Sequence, residues 1–593
     1  MTSDETERRQ RQWTIAIALI AFLAYANAIA NGFALDDRWI ILDNPLVASV
    51  SGIWRAFGAP YWPNGLVGQY RPLVIASFAV DWAVAHGGAW WFHLVNLGWH
   101  VAATVLVLRL ARQVLPEMGA IAAAVLFAVH PVHVEAISST VGRCELMAAV
   151  FVLAGLLAHR AGRPSAVGWY VLALLSKESG IVLLGLAVCH DVLLTEAGWA
   201  TLRVRRAWYA AYGVVIACYA GLLAWVFRGG QALVVQSITW DGATTVDRWL
   251  TMLRVVPEYV RLMVWPWDLA IDYTPRTLVL VTTVTPMVLL GAALLVVIAG
   301  IIVLTWRRAP VVATGLVWFA IAMSPVANVF FPSGIVLAER TFYLPSVGAV
   351  LVMGWVVAAV ASRRTDRVPR AMILGAVAGA AAVFAVRGWV RTPAWHDNKS
   401  LALVWLETHP ESYRGHAWAS IVLSKTNAWA ASGREAARAR ELYPADPGPY
   451  ILGSEAALAL HDTATALTLL DSAVAIAPTE AAPLVRRARI YAVYGNWPRV
   501  RADARHAYAM DSRFAGAIAL EVGAAQHLGD VPAARAAFRR GLADHPRNRN
   551  LHLGYAAMLR AIGDPAMAAR QDSLAAASPP ARSDIDALDT DGP

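Results

Sequence analysis

The sequence predicts an all-α protein in two parts: a bundle of about eleven membrane helices, then a C-terminal α-solenoid. Three observations predict it. Of the 593 residues, 58% are hydrophobic and 25 are Trp, with a mean hydropathy of +0.49, too apolar for an ordinary soluble domain. Apolar runs follow one another to about residue 389, with Arg clusters between them. Beyond about residue 392 the chain turns to Ala-, Arg- and Glu-rich amphipathic helix with a 34-residue period. The formal net charge of +9 does not imply a nucleic-acid partner, because the Arg clusters fall where the positive-inside rule puts them. Cys144, Cys189 and Cys218 offer neither a disulfide framework nor a zinc spacing.

Arg8, Arg9 and Arg11 precede an 18-residue apolar run, 13–30. The run is long enough to span, and it reads as an uncleaved anchor with a cytoplasmic N-terminus rather than a signal peptide. A polar-aromatic first outer loop, 32–91, holds Asp36, Asp37, Trp54, Tyr61, Trp62, Tyr70 and Arg71. Apolar runs follow at about 92–112, 118–137, 145–160, 167–176, 179–196, 208–227, 279–305, 309–328, 342–362 and 371–389. Basic clusters at Arg109/Arg112, Arg160/Arg163, Arg203/Arg205/Arg206, Arg307/Arg308 and Arg363/Arg364/Arg367/Arg370 share the N-terminal side. The other side carries mostly single cations: Arg38, Arg71, Arg143, Lys177, Arg276 and Arg340. The expected topology of this integral membrane protein is therefore N-terminus in, C-terminus out. Segment 248–267 is amphipathic and interrupted, and is expected along the outer interface.

In the last third, Pro410, Pro444, Pro478, Pro546 and Pro580 lie on one 34-residue lattice, with Ser512 in the missing place. Gly495, Gly529 and Gly563 form a second series. Asp462, Asn496, Asp530 and Asp564 form a third. A turn between two helices and a Pro after the second is the tetratricopeptide signature. The expected domains are 1–391 in the membrane, 392–580 as repeats, and a disordered tail over 581–593.

Ionisable residues gather where the spans meet the outer face. Asp36-Asp37 follows the first span, and His130-Pro131-Val132-His133-Val134-Glu135 ends the third. Gly142-Arg143-Cys144-Glu145 opens the fourth. Lys177-Glu178 links the fifth and sixth, and Glu339-Arg340 with Tyr343 precedes the tenth. Each has a plainer structural reading: a solvated helix end for the acidic pair, a hydrogen-bonded helix end for a His, a turn for Lys177-Glu178, local ion pairs for Arg143, Glu145, Glu339 and Arg340. Their shared placement at one face is what distinguishes them. Moving a sugar from a lipid phosphate to a hydroxyl needs a carboxylate to take the acceptor proton and cations to hold the leaving phosphate. Asp36 or Asp37 is the available base; Arg71, Arg143, Lys177 and Arg340 are the available cations.

Several motifs occur in a fixed order: Leu35-Asp36-Asp37 with Asn44-Pro45, Tyr70-Arg71-Pro72-Leu73, His93 with Asn96, the run 130–136, Val141-Gly142-Arg143-Cys144-Glu145, Leu175 to Gly180, and Ala338 to Ser346. With tetratricopeptide repeats after them, they resemble the transmembrane and tetratricopeptide repeat-containing protein O-mannosyltransferases, which are GT-C glycosyltransferases. The resemblance covers nearly the whole chain. It implies a GT-C membrane domain and a polyprenyl-phosphate-linked mannose donor used on the non-cytoplasmic side. It further implies transfer with inversion to protein Ser or Thr hydroxyls, and a catalytic acidic pair, here Asp36 and Asp37.

On this reading Asp36 is the general base, and Asp37 orients the acceptor or a divalent metal such as Mg or Mn. Arg143, Lys177 and Arg340 hold the lipid phosphate. Arg71, His130, His133, Glu135, Glu145, Glu178 and Tyr343 complete the donor pocket. The solenoid either offers a groove to an extended acceptor peptide or only fixes the protein within an assembly. Arg/Ala-rich composition suggests a bacterial protein, hence an undecaprenyl- or decaprenyl-phosphate donor. Two rival functions are glycosylation of a lipid or cell-wall glycan, and a non-catalytic membrane-anchored scaffold. A transporter is disfavoured, since no inverted repeat or mid-span polar pathway is visible.

Overall fold

The computed structural model describes residues 3–63, 68–228, 240, 242–273, 279–362, 370–512 and 514–578. Arg276, the basic run 363–367, Pro580 and the tail 581–593 lie outside the described residues. All regular elements among the described residues are helices. The chain divides into two compact units, Met1–His409 and Pro410–Pro593.

In the first unit each of the eleven apolar runs is helical, but the expected count of membrane spans does not hold. Among the described residues six helices are long and apolar enough to cross a membrane. They are Ala89–Arg112, Thr140–Arg160, Arg206–Val226, Pro286–Thr305, Pro345–Ser362 and Ala371–Trp395. A seventh results if Glu117–Val129 and Pro131–Ser138, bent by 45°, form one span. The helix Ser3–Ala24 has 22 residues but a polar, charged first half; for the other runs the shortfall is a matter of length or a bend. Ser165–Ser176 and Val182–Leu193 have 12 residues each, about 18 Å of helix against a core of roughly 30 Å. The loop expected over 32–91 is also interrupted by a 14-residue helix, Pro72–Ala85, started by Pro72 at its first position. Likewise 248–267 is not broken at Pro257. Thr245–Val264 runs through it as one helix, held at its start by a Thr244–Asp247 capping box.

Two motif glycines are explained by close backbone approach. A Cβ on Gly142 would lie 2.3 Å from the Ala136 carbonyl oxygen, and one on Gly180 2.5 Å from the Ala173 backbone. Only glycine lets these turns fold back onto the preceding helix.

The second unit is a stack of helix pairs. Its second helices begin at Trp429, Thr463, Trp497, Val531 and Pro565, 34 residues apart. Residues 427, 461, 495, 529 and 563 all take a left-handed backbone, as Asn, His, Gly, Gly and Gly. Each is followed by an N–H that reaches back to the same turn, such as Asp530 to the Ala525 carbonyl and Asp462 to that of Ala457, the closing bond of a Schellman motif. Asp462, Asp530 and Asp564 then cap the second helix through their side chains. Residues 392–409, expected among the repeats, belong instead to the first unit, because their backbone is bonded to the first loop, as in Gly32 N–H to the His396 carbonyl at 2.8 Å.

Candidate active site

Local turns bring the motifs to one place, and side chains from different motifs join them. Asp37 is buried and accepts from the N–H groups of Val141 (2.9 Å), Ala34 (3.1 Å) and Thr140 (3.4 Å). The acidic loop is thereby fastened to the start of the helix Arg143–Arg160. Glu145 on that helix pairs with Lys177. The next residue, Glu178, accepts from the Tyr70 N–H at 3.0 Å and from Arg71 Nε at 3.1 Å. Arg71 also reaches Cys144 Sγ at 3.5 Å and lies over the Tyr61 ring, 4.9 Å from its centroid. Finally Glu135 accepts the Arg340 backbone N–H at 2.8 Å and pairs with the Arg340 guanidinium.

Asp36 stands inside this ring. Its carboxylate takes no hydrogen bond among the described residues, while Arg340 and Arg71 are its main charged neighbours. Burial raises the Asp36 carboxyl above the usual range, and the two arginines pull it back. Asp37 is pushed up to about 7 by burial, against the pull of its backbone N–H bonds and with a further push from Asp36. For Arg340, burial works against the charge, but Glu135 and Asp36 hold it above the ordinary guanidinium value. Both arginines keep guanidinium donors unused. Nη2 of Arg71 and Nε and Nη2 of Arg340 have no hydrogen-bond partner among the described residues.

Four expected donor-site residues are placed elsewhere. Arg143 has no exposed surface. It donates to Asn96 (2.7 Å), the Phe92 carbonyl (2.9 Å) and Ser77 (3.2 Å), pairs with Asp81, and lies against Phe78. Its donors are spent on the fold, so it does not face a phosphate. His130, His133 and Tyr343 belong to a buried layer beneath the site. There His130 Nε2 meets the Met263 carbonyl, His133 Nε2 meets Ser346, and Tyr343 meets His100 Nδ1 at 2.8 Å. Sequence reasoning missed Cys144 and Tyr61 as parts of the ring; the only signals were that Cys144 sits inside Gly-Arg-Cys-Glu and Tyr61 inside the aromatic loop. The Tyr61 hydroxyl is buried without a hydrogen-bond partner among the described residues, with Arg71, Asp36, Asp37 and Cys144 as charged or polar neighbours.

A divalent ion at Asp36 and Asp37 does not fit this arrangement. Three backbone N–H groups already converge on the two Asp37 oxygens, and two arginines flank Asp36. Among the described residues the group with metal-ligand spacing is His159, His190 and Asp191. Its carboxylate is already taken by His159 Nε2, His190 Nδ1, Arg205 and the Tyr209 hydroxyl, at 2.7–3.2 Å. In the solenoid unit a cleft of about 410 Å³ is lined by Glu455, His461, Arg486, Arg489 and Tyr494 among others.

No family model matches the chain. The chain is similar to protein O-mannosyl-transferases. It is 26% identical to protein O-mannosyl-transferase TMTC3 of Homo sapiens over 391 residues, 58% of this chain and 42% of that protein. It is 27% identical to protein O-mannosyl-transferase F38B6.6 of Caenorhabditis elegans over 356 residues, 58% of this chain and 50% of that one. The chain thus spans about half the length of these curated relatives. Both are animal proteins, and the bacterial origin suggested by composition gains no support from them. A thermophilic TPR protein of Thermus thermophilus is 18% identical with a TM-score of 0.24, over 30% of this chain and 94% of its own. At that score the likeness carries no argument, and the repeat assignment rests on the helix pairs themselves.

Proposed function

We propose that this protein is an inverting glycosyltransferase that moves mannose from a polyprenyl-phosphate donor to a Ser or Thr hydroxyl of a protein, at the outer face of the membrane. The observation that carries the reading is Asp36: a carboxylate left without a hydrogen bond between two arginines that each keep an unused donor. Buried polar groups are normally satisfied, so a carboxylate kept open in a site this densely bonded is suited to a proton from a substrate. Asp36 accepts the proton of the acceptor hydroxyl as its oxygen attacks the anomeric carbon. The bond from that carbon to the phosphate oxygen breaks, and the polyprenyl phosphate leaves with the electron pair. Nη2 of Arg71 and the free edge of Arg340, with Lys177 beside them, face the charge that grows on the phosphate. Asp37 positions the loop through its three backbone bonds rather than taking part in the proton transfer.

The similarity to named O-mannosyl-transferases supports mannose and a protein acceptor. The solenoid cleft, with Arg489 and Tyr494 on its wall, is where an extended peptide would lie. The test uses purified protein in liposomes with labelled polyprenyl-phosphate mannose and a Ser/Thr-rich peptide. Wild type is expected to transfer label and Asp36→Asn to lose about two orders of magnitude or more. Transfer that survives in Asp36→Asn removes Asp36 as the base. No turnover by wild type with peptide or glycan acceptors favours the scaffold instead.

A further inference from the structure

The acidic loop has a fastening that the ring of ion pairs does not supply. Leu35, directly before Asp36, has φ of 53°, in the left-handed region that non-glycine residues rarely adopt and that β- and γ-branched side chains tolerate poorly. Such a conformation persists only where the surroundings over-determine it. Here the Leu35 N–H donates to the Asn398 side-chain oxygen at 2.8 Å. Three more bonds run between the same two stretches of chain: Gly32 N–H to the His396 carbonyl at 2.8 Å, Asn31 to the Thr392 carbonyl at 3.3 Å, and Asn27 to the Trp389 carbonyl at 2.9 Å. These three end on backbone carbonyls, which any residue would provide. Only the bond at Leu35 needs a particular side chain from the 389–398 stretch. On the other flank, Asp37 is tied to Ala34, Thr140 and Val141. The Asp36 carboxylate is unbonded, yet its backbone is held from both sides.

We infer that Asn398 is a positioning residue: its amide oxygen holds Leu35 in the left-handed conformation and so aims Asp36 at the acceptor. The inference rests on the transferase reading above for its catalytic consequence, and on geometry alone for the anchor. Asn398 is the first residue of the helix Asn398–Thr408, whose N-terminus is capped by Asp397. Its side chain is therefore free of the helix's own capping. The stretch 392–409, which composition would assign to the repeats, is on this account part of the catalytic unit.

The experiment uses the full chain in nanodiscs, comparing wild type, Asn398→Ala and Asn398→Asp, which keeps an acceptor oxygen. Steady-state mannose transfer to a Ser/Thr-rich peptide is measured together with hydrogen exchange of the segment 31–40. Asn398→Ala is expected to lower kcat about tenfold or more, with donor KM changed by less than about twofold, as misaiming a base without touching donor binding requires. Exchange over 31–40 should rise in the same variant, and Asn398→Asp should restore both. A loss of kcat with exchange unchanged, or a proportional loss in donor affinity and folded yield, overturns the inference. So does an Asn398→Asp variant that behaves like Asn398→Ala. If wild type transfers no sugar, the transferase reading falls separately. Exchange then decides the anchor: protection lost in Asn398→Ala and kept in Asn398→Asp upholds it, and equal protection in all three overturns it.

Discussion

Asp36 and Asp191 invite comparison, since each is an acid set among arginines and aromatic side chains within the helical unit. The helix Arg143–Arg160 begins beside the Asp36 ring and ends at the Asp191 cluster, about 24 Å away along its axis. Asp191 accepts from four donors, which is all a carboxylate can take. Because an ionised carboxylate only accepts, the His159 and His190 nitrogens that face it carry protons, and His159 Nδ1 meets the Tyr212 hydroxyl at 2.9 Å. That network is closed. It staples three helices and has no capacity for a ligand. Around Asp36 every acid but one is matched, and the exception is the residue at the centre. Both places set an acid beside arginine and tyrosine, though only the Asp191 cluster contains histidine. The number of hydrogen bonds left open separates a structural cluster from a candidate site.

The largest expected effects test this contrast directly. Asp36→Asn should abolish transfer while the unfolding temperature in nanodiscs stays close to wild type, because no hydrogen bond is lost. Asp191→Asn should do the reverse. It puts an amide where four donors converge and leaves Arg205 unmatched, a loss of about 3 kcal/mol or more, with turnover per folded molecule unchanged. Equal behaviour of the two variants in thermal unfolding and transfer assays would dissolve the comparison. Tyr61→Phe is a finer probe. It keeps the ring under Arg71 and removes only the unpartnered hydroxyl, so the fold should hold while donor kcat/KM falls about tenfold, roughly the 1.4 kcal/mol of one hydrogen bond. No change in kcat/KM would leave that hydroxyl outside the site.

The smallest effect concerns pH. Burial raises the Asp36 carboxyl, and Arg340 then Arg71 lower it again. The base works only as the carboxylate, so kcat/KM should rise with pH through its pKa. Arg340→Gln removes a lowering influence and should move that rise upward. A pH profile that stays in place or shifts downward would rule out Asp36 as the titrating base.

Much of this is legible in the amino-acid chain alone, but unevenly. The motifs 35–37, 70–73, 130–136, 141–145, 175–180 and 338–346 stand out as short polar interruptions in apolar sequence, and each is bonded through a side chain to another of the set. Their roles are less legible. Arg143 reads like Arg340 in sequence, yet one is sealed under Phe78 and the other has a free edge. His130 and His133 read as donor-pocket residues at a helix end and are bonded inside the bundle. The span count fails because hydropathy reports composition, whereas crossing a bilayer also needs uninterrupted length. In the solenoid the Gly series is visible in three repeats, and the same left-handed position in the other two is hidden under Asn427 and His461.

What the sequence by itself determined is whatever repeats locally: the helical character of the apolar runs, the 34-residue register, the turn that closes each repeat. These follow from periodicity and from the φ preferences of single residues, which need no distant partner. Only the tertiary structure decided which of two adjacent aspartates is open. Asp37 is occupied by Val141, 104 residues on, and Arg340 is held by Glu135, 205 residues away. Saturation of a polar group is a property of its neighbours in space, and chain order does not contain them.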